Sequence, residues 1–188
     1  MQFLRKWQWA NENQNTAVNN LRHLRVQWTR PQAGRCKVNI DASVLVDRNG
    51  VRFGWVVRDA MGVMKWCCVK QVQANWSPKM AEAVYLREVI GWCQNVGLDN
   101  IDIESDSKLV ADSCNDPKDD ISEFGMIIRC CRIEALRYHS LDIKFKRRTA
   151  NEVANLLART ARNCFGFYAW KEPPYFVVPL LNFDVLHS

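Results

Sequence analysis

Three acidic residues stand at positions where the surrounding sequence does not favour a charge. Glu82 lies in a segment predicted to be helical over residues 78–96, and it falls near the middle of the apolar side of that helix. Asp41 lies inside a segment that alternates like a central strand, a setting in which Asp is disfavoured. Asp106 follows directly after another strand-like segment. A buried carboxylate is costly unless something positive compensates it, so these three positions call for an explanation.

Metal binding is the chemistry that three converging carboxylates can support. In β-α-β arrangements, ligand sites collect where strands end and their order reverses, and Asp41, Glu82 and Asp106 can converge at such a point. Clustered carboxylates repel one another, which makes them tolerable mainly with bound cations. Hard oxygen ligands favour Mg²⁺ or Mn²⁺ over zinc. Two of the acids also have an ordinary explanation, because Glu82 can return to water near its helix start and Asp106 can cap the next helix.

The elements that position these acids follow from hydrophobic periodicity and turn signals. The alternating segments 36–44, 51–59 and 63–72 are joined by short turns, which predicts an antiparallel meander. Ser77-Pro78 starts the helix that carries Glu82, and Gly97 ends it. After it we predict a strand over 101–105, a short helix over 107–114, a helix over about 121–139, a strand over 140–146 and a helix over 151–163.

This order, β-β-β-α-β-α-α-β-α, predicts the α/β class. We expect a five-stranded mixed sheet, with three antiparallel strands followed by β-α units and with helices on its faces. The domain is predicted over residues 34–168. Residues 1–33 are interpreted as an N-terminal tail or linker. Residues 169–188 are interpreted as an apolar, proline-containing tail that covers the core or contacts a protein partner.

Composition narrows the class of protein. The 188 residues suffice for one domain, and a net charge of +6 fits a polyanionic partner without requiring one. The eight cysteines include no C-x-x-C pair, so we expect reduced thiols rather than a zinc or disulfide framework. The sequence has no secretory start and no membrane-spanning run, which favours a location in the nucleus or cytoplasm. We separately expect a monomer.

Five segments in order resemble successive motifs of the ribonuclease H-like domain family. They are KVNIDAS, GWVVRDAMG, MAEAVYLREVI, IESDSKLV and RRTANEVANLLA, and together they span roughly residues 34–165. The resemblance is closest to the plant group related to the reverse-transcriptase-associated ribonuclease H of non-LTR retroelements. It implies the ribonuclease H-like fold and an endonuclease that cleaves the RNA strand of RNA–DNA hybrids with two Mg²⁺ (or Mn²⁺) ions. By the same resemblance, Asp41 bridges both metals, and Glu82 and Asp106 complete the site.

The chain departs from this family's pattern at two places. Asn155 occupies the fourth catalytic position, where the family motif N-x-x-A-D has an aspartate, so one negative charge is lost and metal affinity should weaken. Glu152 on the same helix is an alternative carboxylate. The family's histidine before this helix is missing from residues 145–150. These departures keep open an alternative function, a catalytically inactive nucleic-acid-binding or protein-interaction module derived from a retroelement.

The densest basic stretch leads into this last helix. Lys144, Lys146, Arg147 and Arg148 are predicted to bind nucleic-acid phosphates, with a solvated strand end as the alternative interpretation. The connection 115–120 is short and acidic, so the basic protrusion of some bacterial relatives is expected to be absent. Trp76 is a candidate for stacking on bases or sugars, whereas Trp66 is expected to pack in the core.

Overall fold

The computed structural model describes residues 26–45, 50–160 and 166–188. Most of the predicted N-terminal tail, the turn after the first strand and the end of the helix predicted over 151–163 lie outside these ranges. The described strands are β1 (Cys36–Leu45), β2 (Gly50–Arg58), β3 (Met64–Gln73), β4 (Asn100–Ser105), β5 (Ser140–Phe145) and β6 (Gly166–Trp170). The described helices are α1 (Pro78–Asn95), α2 (Lys108–Asn115), α3 (Glu123–Ala135), α4 (Glu152–Thr160), α5 (Val178–Leu186) and a 3₁₀ turn (Arg148–Ala150). None of these helices is long and apolar enough to cross a membrane.

The strands form one mixed sheet in the order β5-β4-β1-β2-β3-β6. β1, β2 and β3 pair as the predicted antiparallel meander, while β4 and β5 join β1 in parallel. The α/β class and the mixed sheet are therefore confirmed. The sheet has six strands where the sequence predicts five, because β6 adds itself to the free edge of β3. Four of its five residues are exposed, so β6 lacks the alternation of a half-buried strand.

The two faces of the sheet carry different helices. Val38, Ile40 and Ile103 point towards the first face, where α1, α2 and α3 bury the larger hydrophobic core. Val56 and Val69 point towards the second face, where α4 and α5 bury a smaller core. Alternation of side chains along each strand explains this division. Because Asp41 shares the second face with Val56, it points towards α4.

Both predicted tails contribute residues to the second face. Trp28 is 1% exposed, donates a hydrogen bond from Nε1 to Asn39 Oδ1 (2.9 Å), and lies under the guanidinium of Arg58 at 3.7 Å. Arg58, equally buried, forms an ion pair with Asp184 of α5 at 2.6 Å. Asn39 also donates to Glu104 at 3.0 Å. The segment over 169–188 is thus a structured part of the domain, with Pro179 tolerated in the first turn of α5.

Candidate active site

The structure brings Asp41, Glu82 and Asp106 together at one end of the sheet. Ile40 pairs with Ser105 in the parallel β1–β4 ladder, so the residues that follow them lie side by side. Glu82 reaches the same point from the early part of α1, and one oxygen of each carboxylate lies within 4.8 Å of the other two. These are the three residues whose convergence the sequence predicts.

The ordinary explanations for Glu82 and Asp106 do not account for this geometry. The N-cap of α2 is Ser107 rather than Asp106. Glu82 does not return to water, because its Oε2 is buried and has no hydrogen-bond partner in the part of the chain that the structure describes. A buried carboxylate oxygen without a partner is costly, and a cation would remove that cost.

Asn155 of α4 forms the fourth corner of the site. Its Nδ2 donates to Asp41 Oδ2 at 2.9 Å, so the amide lies directly beside the acidic cluster. One turn earlier, the buried Asn151 donates from Nδ2 to the carbonyl of Ile40 at 2.7 Å. This bond ties the start of α4 to the residue before Asp41. Asn151 is therefore a positioning residue. In the sequence it is visible only as the first residue of the N-x-x-A-D motif, which does not reveal this bond.

Gly54 allows α4 to lie this close to the sheet. It is the partner of Asp41 in the β1–β2 register, and α4 crosses over it. A Cβ at this position would lie 2.3 Å from the backbone nitrogen of Ala158 and 2.6 Å from the carbonyl oxygen of Ala154. Such contacts cannot be relieved by rotating a side chain, so any other residue would push α4 outward. The position of Asn155 therefore depends on the missing side chain of Gly54.

Glu152 does not enter the acidic cluster. Within the described ranges, the carboxylates close enough to share a metal are Asp41, Glu82 and Asp106. Glu152 instead lines the surface between α4 and α5. The structure therefore gives no support to Glu152 as a substitute for the fourth carboxylate.

Burial and mutual repulsion raise the pKa values of two of the acids. Desolvation, and then the charge of Asp106, raises the pKa of Asp41 to about 7, although the Asn155 hydrogen bond and the charge of Arg148 oppose the shift. Desolvation, together with the charges of Asp41 and Asp106, raises the pKa of Glu82 to about 8. The metal-free site therefore holds protons at neutral pH that a bound cation would displace.

These shifts predict how stability depends on pH when no metal is present. The folded protein keeps protons on Asp41 and Glu82 that the unfolded chain loses above their ordinary values of 3.8 and 4.5. The contribution of these two carboxyl groups to the free energy of unfolding is therefore fully present below about pH 4 and is lost as pH rises through 7 and 8. We expect the Tm in EDTA to fall between pH 5 and 8. Asp41→Asn should remove roughly 2–4 kcal/mol of the accompanying loss in the free energy of unfolding. Excess Mg²⁺ or Mn²⁺ should raise the Tm of the wild type but not of the variant. Equal pH slopes in the two proteins would contradict this account.

The four predicted basic residues differ in their surroundings. Lys144 is ion-paired with Asp102 at 2.9 Å, and Lys146 lies 3.8 Å from Glu104. Arg147 and Arg148 are exposed, and the charge of Arg148 acts on Asp41 and Glu82. Arg148 is therefore better placed than the two lysines to meet a phosphate at the acidic site, and Arg147 is the exposed residue next to it.

An open cavity adjoins the acidic cluster at Glu82. It is a cavity of about 500 Å³ between the end of β1, the end of β3 and the start of α1, lined by Ser43, Asn75, Trp76 and Glu82. Trp66, in contrast, packs edge-on against Trp92 at 5.7 Å, as expected for a core residue.

This fold is that of ribonucleases H. Ribonuclease H1 from Halobacterium salinarum superimposes with a TM-score of 0.61 at 21% identity, over 68% of this chain and 97% of that one. The N-terminal ribonuclease H domain of a Mycobacterium tuberculosis protein gives 0.59 at 17% identity, over 68% and 92% of the two chains. LC11-RNase H1, solved in complex with an RNA/DNA hybrid, gives 0.58 at 14% identity, over 66% and 94%.

The sequence itself assigns the family. Residues 39–161, about two thirds of the chain, match the model of the reverse transcriptase-like family. The chain belongs to this family of ribonuclease H-like domains. No curated protein matches the sequence.

Proposed function

We propose that this protein hydrolyses the RNA strand of RNA–DNA hybrids, with Asp41, Glu82 and Asp106 holding two Mg²⁺ or Mn²⁺ ions. The observation that carries the proposal is that three carboxylates each place one oxygen within 4.8 Å of the others, while Glu82 Oε2 is buried with no hydrogen-bond partner among the described residues. An all-oxygen donor set suits these hard cations. The hybrid bound to LC11-RNase H1, a protein of the same fold, supports the choice of substrate.

Two metal ions held by these carboxylates would supply an activated water and charge stabilisation for the leaving 3′ oxygen. The chain's own residues do the rest. Asp41 contacts Asn155 and lies beside Glu82 and Asp106, and it would be a ligand of the metal site together with those two carboxylates. Arg148, whose charge acts on Asp41 and Glu82, would hold the negative phosphate against an acidic site that would otherwise repel it, and the adjacent Arg147 would assist it. RNA is distinguished from DNA by its 2′-hydroxyl and its wide minor groove.

We further propose a plant-type origin related to non-LTR retroelements, a monomeric state and a location in the nucleus or cytoplasm. The order of the five motifs supports the first of these. A protein partner would have to use the exposed side of residues 169–188, such as Tyr175 and Leu186, because Val177 and Leu181 are already buried against the sheet.

Cleavage of a labelled RNA–DNA hybrid tests the enzymatic proposal. We expect a metal-dependent cut of the RNA strand by the wild type and none by Asp41→Asn, since the variant loses the central ligand. A matched duplex of DNA with DNA should remain intact. Identical results for wild type and Asp41→Asn would reject the enzyme and leave the inactive nucleic-acid-binding module as the alternative.

A further inference from the structure

A groove of about 460 Å³ extends from the acidic site along the exposed side of α4. Asn155 lines the groove and also bonds to Asp41, so the groove opens directly from the site. Arg148 lines it before α4 begins, and Arg159 lines it one turn beyond Asn155. Residues four apart lie on one side of a helix, separated by about 6 Å along its axis.

The far wall of the groove is formed by α5. Leu180 contributes to this wall and also to an adjoining cavity of about 210 Å³ between α4, α5 and residues 26–27. The ion pair between Arg58 and Asp184 holds α5 in this place. The groove thus depends on the C-terminal helix, which the match to the reverse transcriptase-like family over 39–161 does not include.

The charges of the groove suit a polyanion. Arg148 and Arg159 are both exposed, and no ion pair within 4 Å joins either guanidinium to a carboxylate in the described ranges. Glu152 also lines the groove, but it has an interaction of its own. An arginine can present two donors at once to a phosphate, which makes it well suited to holding a nucleic-acid backbone.

We propose that the groove between α4 and α5 binds the sugar-phosphate backbone of the hybrid next to the cleaved position, with Arg159 as its distinguishing phosphate contact. The proposal rests on the proposed function for the identity of the ligand. Arg159 is the useful probe because it lies away from the carboxylates, whereas removing Arg148 would also change the charge at the acidic site.

Hybrid binding at several salt concentrations in EDTA tests the groove without any cleavage. Arg159→Ala should bind about three- to tenfold more weakly than wild type at ~0.1 M salt, and the slope of log K against log[salt] should become shallower by about 0.9. Arg159→Lys should restore most of the slope. Arg137→Ala is the matched control, because it removes an exposed arginine beyond α3 and should leave the slope unchanged.

The outcomes separate this proposal from the enzymatic one. Equal slopes for Arg159→Ala and Arg137→Ala would overturn the groove while leaving cleavage to be judged from Asp41→Asn. No binding of the hybrid by the wild type would overturn the groove as well. A slope change specific to Arg159→Ala in a protein that does not cleave would uphold the groove and reject the nuclease.

Discussion

Replacing Asn155 by Asp should increase metal-dependent cleavage of an RNA–DNA hybrid by about 10- to 100-fold, the range by which single groups around a metal change affinity or activity. Asn155 already lies at hydrogen-bond distance from Asp41, so the new carboxylate would join the cluster without a backbone change. It would restore the fourth negative charge and lower the metal concentration needed for half-maximal activity.

The same substitution should weaken the metal-free protein. A fourth carboxylate repels the other three, and Asp41 loses its amide donor, so Asn155→Asp should have a lower Tm than wild type in EDTA and a larger gain in Tm with Mn²⁺. Asn155→Ala is the control, because it removes the hydrogen bond without adding a charge. An unchanged rate and an unchanged metal requirement in Asn155→Asp would show that this corner does not contribute to the metal site.

Replacing Asp184 by Ala should lower the free energy of unfolding by about 3–5 kcal/mol, the cost of leaving one member of a buried ion pair alone. Arg58 is 1% exposed and stacks on Trp28, so its guanidinium cannot reach water when Asp184 is gone. Asn39 would remain as one partner, at 2.7 Å from a guanidinium nitrogen. Chemical denaturation followed by circular dichroism measures the loss.

Two variants control this experiment. Asp112→Ala breaks the exposed i,i+4 pair with Lys108 and should cost less than about 0.5 kcal/mol. The double variant Arg58→Met/Asp184→Ala removes both charges and should recover part of the stability lost in Asp184→Ala. A loss below about 1 kcal/mol for Asp184→Ala would mean that α5 is not held through this pair.

The ion pair between Arg58 and Asp184 also affects any test for a protein partner that deletes the C-terminal segment. A chain ending after Lys171 lacks Asp184 and leaves Arg58 buried without its carboxylate. Loss of a protein partner after that deletion would therefore report the loss of stability as well as the loss of a contact surface. Substitution of the exposed Tyr175 tests a partner surface without this effect.

The sequence predicts the acidic part of the site well because its signals are local. Glu82 interrupts an apolar helix face, and Asp41 interrupts a strand, so each conflict is visible within its own element. The boundaries of α1, predicted at 78–96 and found at 78–95, show the same advantage, since Ser77-Pro78 and Gly97 mark its two ends. The parallel register that brings Asp41 beside Asp106 then follows from the order of the elements.

The missed features depend on contacts between distant parts of the chain. β6 is short and mostly exposed, so its own residues give little indication of a strand. It forms because it pairs with the edge of β3. The buried group around Arg58 joins Trp28, Asn39 and Asp184, which are up to 156 positions apart in the sequence. No window along the chain contains such a group, and a proline near the start of α5 resembles an interruption until the helix is seen to begin there.

Because Gly54 has no side chain, position 54 tolerates far fewer substitutions than position 155. Because α4 packs directly on β2 at Gly54, main-chain contacts fix the position of residue 155, whichever side chain it carries. An amide and a carboxylate of the same size can therefore exchange there without moving the helix. The domain can lose or regain a charge beside its acidic cluster through a single substitution, while a larger residue at position 54 would displace α4 and Asn155 with it.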